Sequence, residues 1–120
     1  MKQAIALALS ILAVNAEAAS PQGYVDGVQG CQISGWAYDP DVKFQSIQVR
    51  YYDVQGLCVR GAVTANQYRP DLKVLGIGSY HGYVINIPPA CSARRIAVYG
   101  VNVGPGLNNF LTGSPAYVNC

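Results

Sequence analysis

The stretch IQVRYYDVQGLCVRGAVT, residues 47–64, carries the strongest indication of the fold. Apolar and polar residues alternate in its first half, so that Ile47, Val49 and Tyr51 share one face of an extended strand. The second half alternates in the same way. Between them, residues 53–56 have the composition of a tight turn, with glycine where a positive φ is most needed. The stretch therefore predicts two half-buried antiparallel strands joined as a hairpin.

The rest of the chain repeats this organisation. Turn-forming residues recur every eight to twelve positions, and the short stretches between them are rich in Val, Ile and Tyr. This spacing predicts an all-β fold, a two-sheet antiparallel sandwich of the immunoglobulin or fibronectin type with about seven strands. Residues 68–80 form the one long irregular connection, in which Pro70 is placed to open a single helical turn. We expect strands at residues 24–28, 32–38, 45–52, 57–65, 82–87 and 95–103, and one within 110–119.

Charge excludes one large class of partners. The chain has 120 residues, of which 12% are charged, and a formal net charge of +2. Its longest basic run is the pair Arg94 and Arg95, which is far less than the basic surface that phosphate backbones require. We therefore expect no nucleic-acid partner.

The N-terminus has the features of a cleaved export signal. Lys2 precedes an apolar run over residues 4–14, and small residues at Ala16 and Ala18 suit a signal peptidase. The run is shorter than the roughly 20 residues that a membrane span needs. We predict a signal peptide at residues 1–18, a single domain at residues 19–120, and a protein that does not span a membrane and is exported to the periplasm or the extracellular space.

Four cysteines follow the predicted signal: Cys31, Cys58, Cys91 and Cys120. The spacing contains no C-x-x-C pair, and an even number of cysteines in a small exported domain indicates two structural disulfides. A Greek-key strand order would place all four at one end of the sandwich, with Cys58 and Cys120 too far apart to bond. Of the remaining pairings we favour Cys31 with Cys58 and Cys91 with Cys120.

Four short motifs resemble a known module. They are GYVDGV at residues 23–28, ISGWAYDP at 33–40, RPDL at 69–72 and HGY at 81–83, the last followed by Ile87-Pro88. In this order they are similar to a small bacterial β-sandwich module that is appended to exported or cell-surface proteins, including cell-wall hydrolases. The similarity runs from Gly23 to about Pro115. The resemblance implies an extracytoplasmic β-sandwich with an accessory, non-catalytic role.

The residues that catalysis would need are few. His81 is the only histidine, and Ser79 and Asp71 are the only nearby candidates for a nucleophile and an orienting carboxylate. Asp39 and Asp41 together offer too few oxygens for calcium. We therefore expect no enzymatic activity, no metal and no cofactor.

The remaining functional signal lies in arginine and tyrosine. Arg69, beside Pro70, presents a planar fork that suits a carboxylate or a sugar, but we favour the interpretation that it holds its own loop in place. Trp36 is assigned to the core. We predict an exported, non-catalytic module that binds a cell-envelope component, carbohydrate above all; the alternative is a small secreted or periplasmic inhibitor or immunity-type protein that binds a partner enzyme. The predicted binding residues are Tyr68, Arg69, Asp71, Tyr80, Tyr38 and Tyr52.

Overall fold

A computed structural model describes residues 19–120 and contains two antiparallel β-sheets. Three short 3-10 helices, Pro40–Val42, Pro70–Leu75 and Pro89–Cys91, lie in the connections. The strands in chain order are β1 (Gln22–Gln29), β2 (Gln32–Tyr38), β3 (Gln48–Asp53), β4 (Arg60–Thr64), β5 (Gln67–Tyr68), β6 (Tyr80–Asn86), β7 (Arg94–Gly100), β8 (Asn109–Phe110) and β9 (Ala116–Val118).

The two sheets confirm the predicted sandwich. Sheet A has the order β1-β2-β6-β5, and sheet B has the order β4-β3-β7-β8, with β9 also pairing with β7. The described residues form nine strands rather than seven. The two-residue β5 is too short to show an alternating pattern, and the last predicted strand is divided into β8 and β9. Pro115 lies at this division and has no N–H to donate to a ladder.

The core lies between the inward faces of the two sheets. Ile33, Tyr83 and Ile85 come from sheet A, while Val49 and Val98 come from sheet B, and all five are buried. Removing a side chain of this kind from water contributes roughly 1.5 to 3 kcal/mol. The alternation predicted for β3 is therefore confirmed, because Val49 enters the core while its neighbours Gln48 and Arg50 are exposed.

The predicted antiparallel pairing of β3 with β4 is confirmed, but the predicted tight turn at residues 53–56 is wrong. β4 begins at Arg60, and the intervening loop closes through a 3.0 Å hydrogen bond from the Asp53 N–H to the Val59 carbonyl. Asp53 is buried, and its carboxylate forms an ion pair with Arg94 at 2.9 Å. It therefore ends β3 inside the protein and does not start a tight turn at the surface. Gly56 is not among the glycines with positive φ.

The favoured disulfide pairing is also wrong. The bridges join Cys31 to Cys120 and Cys58 to Cys91, with Cα atoms 5.3 and 5.7 Å apart. All four cysteines do lie at one end of the sandwich, but the first bridge crosses from sheet B to the β1–β2 turn of sheet A. Cys91 is buried and turned towards the β3–β4 loop, not towards the chain end. Loops of 33 and 89 residues give each bridge roughly 3 to 5 kcal/mol in the chain-entropy model.

The connection between β5 and β6 begins with the predicted helical turn. Pro70 opens the 3-10 helix Pro70–Leu75, and Gly76 ends it in the left-handed conformation at φ 74°. Leu72 is the buried residue of this helix. The predicted signal peptide lies outside the described residues, and within residues 19–120 no helix has the length and hydrophobicity to cross a membrane.

Candidate functional site

An aromatic surface covers the outward side of sheet A. On β2, Trp36 and Tyr38 point away from the core, while Ile33 and Ala37 point into it. Tyr24 on β1 pairs with Trp36, their ring centroids being 5.5 Å apart. Trp36 and Tyr38 are stacked at 6.0 Å with an interplanar angle of 21°. We call this the sheet A surface, and define it by Tyr24, Trp36, Tyr38, Tyr68, Arg69 and Tyr80.

The assignment of Trp36 to the core is therefore wrong, and Gly35 explains why. A Cβ atom at Gly35 would overlap both the Tyr24 carbonyl and the Tyr83 hydroxyl. Tyr83 fills this inward space and donates a 2.9 Å hydrogen bond to the Tyr24 carbonyl oxygen. Burial, more than the nearby Asp26 carboxylate, raises the pKa of the Tyr83 hydroxyl. Gly35 therefore belongs to the inward face of β2 together with Ile33 and Ala37. Trp36, the next residue along the strand, faces outward.

Opposite Gly35, the register of β1 shifts between Val25 and Gly27. The shift makes Asp26 the extra residue of a β-bulge. Its carboxylate forms an ion pair at 2.7 Å with Arg69, which lies 43 residues further along the chain. A local irregularity of β1 therefore places an acidic group beside the aromatic rings.

Arg69 is held by two carboxylates and by the sheet itself. Its Nε and NH2 groups donate to both oxygens of Asp71 at 2.9 and 2.7 Å. Its stem lies across Gly82, where a Cβ atom would come within 2.7 Å of the Arg69 Cγ. These contacts raise the pKa of Arg69, and the hydrogen bond with Asp71 is the largest cause; the same contact lowers the pKa of the Asp71 carboxyl. As favoured from the sequence, Arg69 anchors its own loop.

The four motifs singled out in the sequence meet at this point. Tyr24 and Asp26 come from the first, Gly35 from the second, Arg69 from the third and Gly82 from the fourth. Trp36 pairs with Gly82, so the Arg69 stem occupies the position next to the indole ring. The four motifs therefore contribute residues to one continuous region, the sheet A surface and the residues directly beneath it.

Tyr68 and Tyr80 extend the patch along β5 and β6. Their rings lie 5.4 Å apart, and both side chains are about three-fifths exposed, at 62% and 61%. The carbonyl of Tyr80 accepts a 2.9 Å hydrogen bond from the Ser46 hydroxyl, which fixes the start of β6. Their exposure leaves both tyrosines free to contact a ligand.

Tyr52 does not belong to this patch. It lies on the outward side of sheet B, where its ring is 6.3 Å from that of Tyr99, which in turn is 6.0 Å from Phe110. The structure thus brings together Tyr38, Tyr68, Arg69, Asp71 and Tyr80 and separates Tyr52 from them.

Sequence reasoning missed Tyr24, Asp26 and Trp36. The last was detectable, because Trp36 and Tyr38 are two residues apart on one strand and must share a face. An outward Tyr38 therefore implied an outward Trp36. Asp26 had no comparable signal, since its position depends on a bulge.

The residues considered for catalysis are held in structural roles. His81 is buried, and its Nε2 donates a hydrogen bond to the Ile77 carbonyl at 2.6 Å. Ser79 is buried as well, and the carboxylate of Asp71 is occupied by Arg69. Within residues 19–120, no hydrogen bond joins any two of Ser79, His81 and Asp71. These side chains therefore do not form a triad.

Asp39 ties two connections together. Its two oxygens accept from the N–H groups of Asp41 at 2.9 Å and of Val103 at 2.8 Å. Asp41 in turn accepts from the Ala19 N–H at 3.1 Å. No group of three or more histidine, cysteine or acidic side chains suited to a metal ion occurs in the described part of the chain.

No family model, curated protein or solved structure matches the chain.

Proposed function

We propose that this protein is an exported, non-catalytic module that binds carbohydrate of the cell envelope through the sheet A surface. The observation that carries the proposal is the row of rings formed by Tyr24, Trp36 and Tyr38 on the outward side of sheet A. Large flat rings bury contact area at low entropic cost, and each carries a polar tip for hydrogen bonding. The C–H face of a pyranose ring is the natural partner of such a row.

The polar groups beside the rings supply orientation. Asp26 and Asp71 have 40% and 60% of their side chains exposed, so their carboxylates can accept hydrogen bonds from sugar hydroxyls. Arg69 already fixes both carboxylates, which means that they do not have to be ordered when a ligand binds. In this account Arg69 positions the acceptors and retains N–H donors of its own.

Export rests on two supports. Two disulfides are typical of oxidising compartments outside the cytoplasm. The predicted signal peptide at residues 1–18 would direct the chain there. The cell envelope is the carbohydrate-rich surface that such a protein meets first.

Sedimentation with insoluble envelope glycans tests the proposal. The exported protein is incubated with purified peptidoglycan, chitin and neutral glucans, and the soluble fraction is measured. We expect retention on at least one of them, weakened about tenfold by Trp36→Ala, which corresponds to about 1.4 kcal/mol. The control is Tyr117→Ala, an exposed aromatic on β9 of sheet B, which should bind normally.

Two results would contradict the proposal. One is the absence of retention on every glycan. The other is retention that Trp36→Ala leaves unchanged while both variants melt normally. Capture of a single envelope protein, abolished when the extract is treated with protease, would instead favour the inhibitor alternative.

A further inference from the structure

The outward side of sheet B carries positive charge that no ion pair with a carboxylate of residues 19–120 balances. Arg50, Arg60 and Arg95 are all exposed there. Within residues 19–120, the ion pairs involve only Arg69 and Arg94 as donors. We define the sheet B surface by Arg50, Tyr52, Arg60, Arg95, Tyr99 and Phe110.

The aspartates of the described chain are committed elsewhere. Asp26 and Asp71 bind Arg69 on the opposite side of the sandwich, and Asp53 is buried against Arg94. Asp39 is buried and accepts two backbone N–H groups, while Asp41 lies in the 3-10 helix that Asp39 caps. Asp53 borders this surface, but its side chain is fully buried and paired with Arg94, so Arg50, Arg60 and Arg95 remain available to an external anion.

Two of the arginines border a cleft. Arg50 pairs with Ala62 and Arg60 pairs with Tyr52, so the two arginines occupy diagonal positions on one face of neighbouring strands. Both residues line a cleft of about 610 Å³, and its other walls include Gln48, Tyr99 and the buried Asp53, whose carboxylate is paired with Arg94. This volume falls within the roughly 300 to 1,000 Å³ of small-molecule sites. The small side chain of Ala62 leaves room beside Arg50.

The walls of the cleft are suited to a ring as well as to an anion. Tyr52 and Tyr99 meet edge to face at 63°, so their ring faces point in different directions. Arg50 donates a 3.3 Å hydrogen bond to the Gln48 amide oxygen, which restrains its guanidinium group at the cleft. Aromatic faces next to arginine forks match a ligand that has both an apolar ring face and a planar anionic group.

We infer that this cleft binds an acidic saccharide, a sugar ring that bears a carboxylate. Arg50 and Arg60 would hold the carboxylate through charge-assisted hydrogen bonds, and Tyr52 or Tyr99 would contact the ring. The cleft is concave and limited in size, which favours one or two sugar units over a protein surface. This site is distinct from the sheet A surface, and its ligand is selected by charge.

Calorimetric titration with a trigalacturonate tests the inference on the exported protein. We expect saturable binding that weakens by about tenfold or more in Arg50→Gln and in Arg60→Gln, because each removes a charge-assisted hydrogen bond. Arg95→Gln is the matched control, since it removes the same charge from the same surface outside the cleft, and it should change affinity less than about twofold. The fully methyl-esterified trisaccharide should bind at least about tenfold more weakly than the acid.

A second variant separates geometry from charge. Arg50→Lys keeps the charge but loses the planar fork, so it should also weaken binding. Trp36→Ala on the opposite surface should leave trigalacturonate binding unchanged, which distinguishes failure of this inference from failure of the proposed function. The inference is overturned by an absence of saturable binding, by equal losses in all three Arg→Gln variants, by equal affinity for the ester, or by inorganic phosphate competing as well as the sugar.

Discussion

The two outward surfaces of the sandwich use the same residue types in different ways. On the sheet A surface, Arg69 is closed into a network with Asp26 and Asp71 beside a row of aromatic rings. On the sheet B surface, Arg50 and Arg60 lie next to tyrosines with no carboxylate within ion-pair distance among residues 19–120. Arg69 is therefore held by carboxylates on one side of the sandwich, whereas Arg50 and Arg60 have, among the described residues, no carboxylate partner on the other.

The difference originates in the backbone. A bulge in β1 and the missing side chain of Gly82 allow acid and base to meet across three strands of sheet A. Sheet B places Ala62 and Tyr99 on either side of Arg50, so its pairing is regular but brings no acidic residue to that face. The residues on neighbouring strands therefore decide whether an arginine forms an ion pair within the protein.

The largest expected effect comes from filling the inward position under the sheet A surface. Gly35→Ala would force its Cβ into the Tyr24 carbonyl and the Tyr83 hydroxyl, and should destabilise the protein by about 3 kcal/mol. Gly27→Ala on the adjacent strand is the control, because a Cβ there meets nothing within 4 Å. Urea unfolding of the two variants measures both losses, and equal losses would show that Gly35 does not set the orientation of Trp36.

The next effect compares an arginine from each surface. Arg69→Ala removes three hydrogen bonds and the packing of its stem on Gly82, and should lower the free energy of unfolding by about 1 to 2 kcal/mol, since water can solvate the two exposed carboxylates that remain. Arg50→Ala should change the free energy of unfolding by less than about 0.5 kcal/mol. Thermal melts provide the measurement. A stable Arg69→Ala protein would mean that the network does not anchor its loop.

A smaller effect concerns protonation. The hydrogen bonds from Arg69 hold the pKa of Asp71 below its ordinary value of 3.8. The stability that this contributes is present above the unfolded pKa and is lost as the pH falls through the lower, folded pKa. Carboxyl NMR titration should therefore find that Arg69→Gln raises the pKa of Asp71, whereas Arg50→Gln leaves it where it was. An unchanged Asp71 titration in Arg69→Gln would contradict the described ion pair.

Local patterns predicted much of this architecture. Alternation around Val49 identified the sandwich, and proline at position 70 identified the helical turn. The even cysteine count predicted two disulfides. The first two depend on residues close together in sequence, where side-chain alternation and the restricted φ of proline determine the local structure.

The errors have a common cause in contacts between distant segments. Which cysteines pair depends on how Cys120 crosses to the other sheet, and the separation of Tyr52 from Tyr38 depends on which sheet each strand joins. Composition and period contain no information about these partners.

The most direct test of the account is a crossed binding measurement. Trp36→Ala and Arg50→Gln are each tested by sedimentation with the insoluble glycan that the wild-type protein binds and by calorimetric titration with trigalacturonate. We predict that Trp36→Ala loses about tenfold in affinity for the insoluble glycan alone, and that Arg50→Gln loses about tenfold for trigalacturonate alone. Equal losses for both ligands in either folded variant, or no loss in either, would contradict the division of binding between the two surfaces.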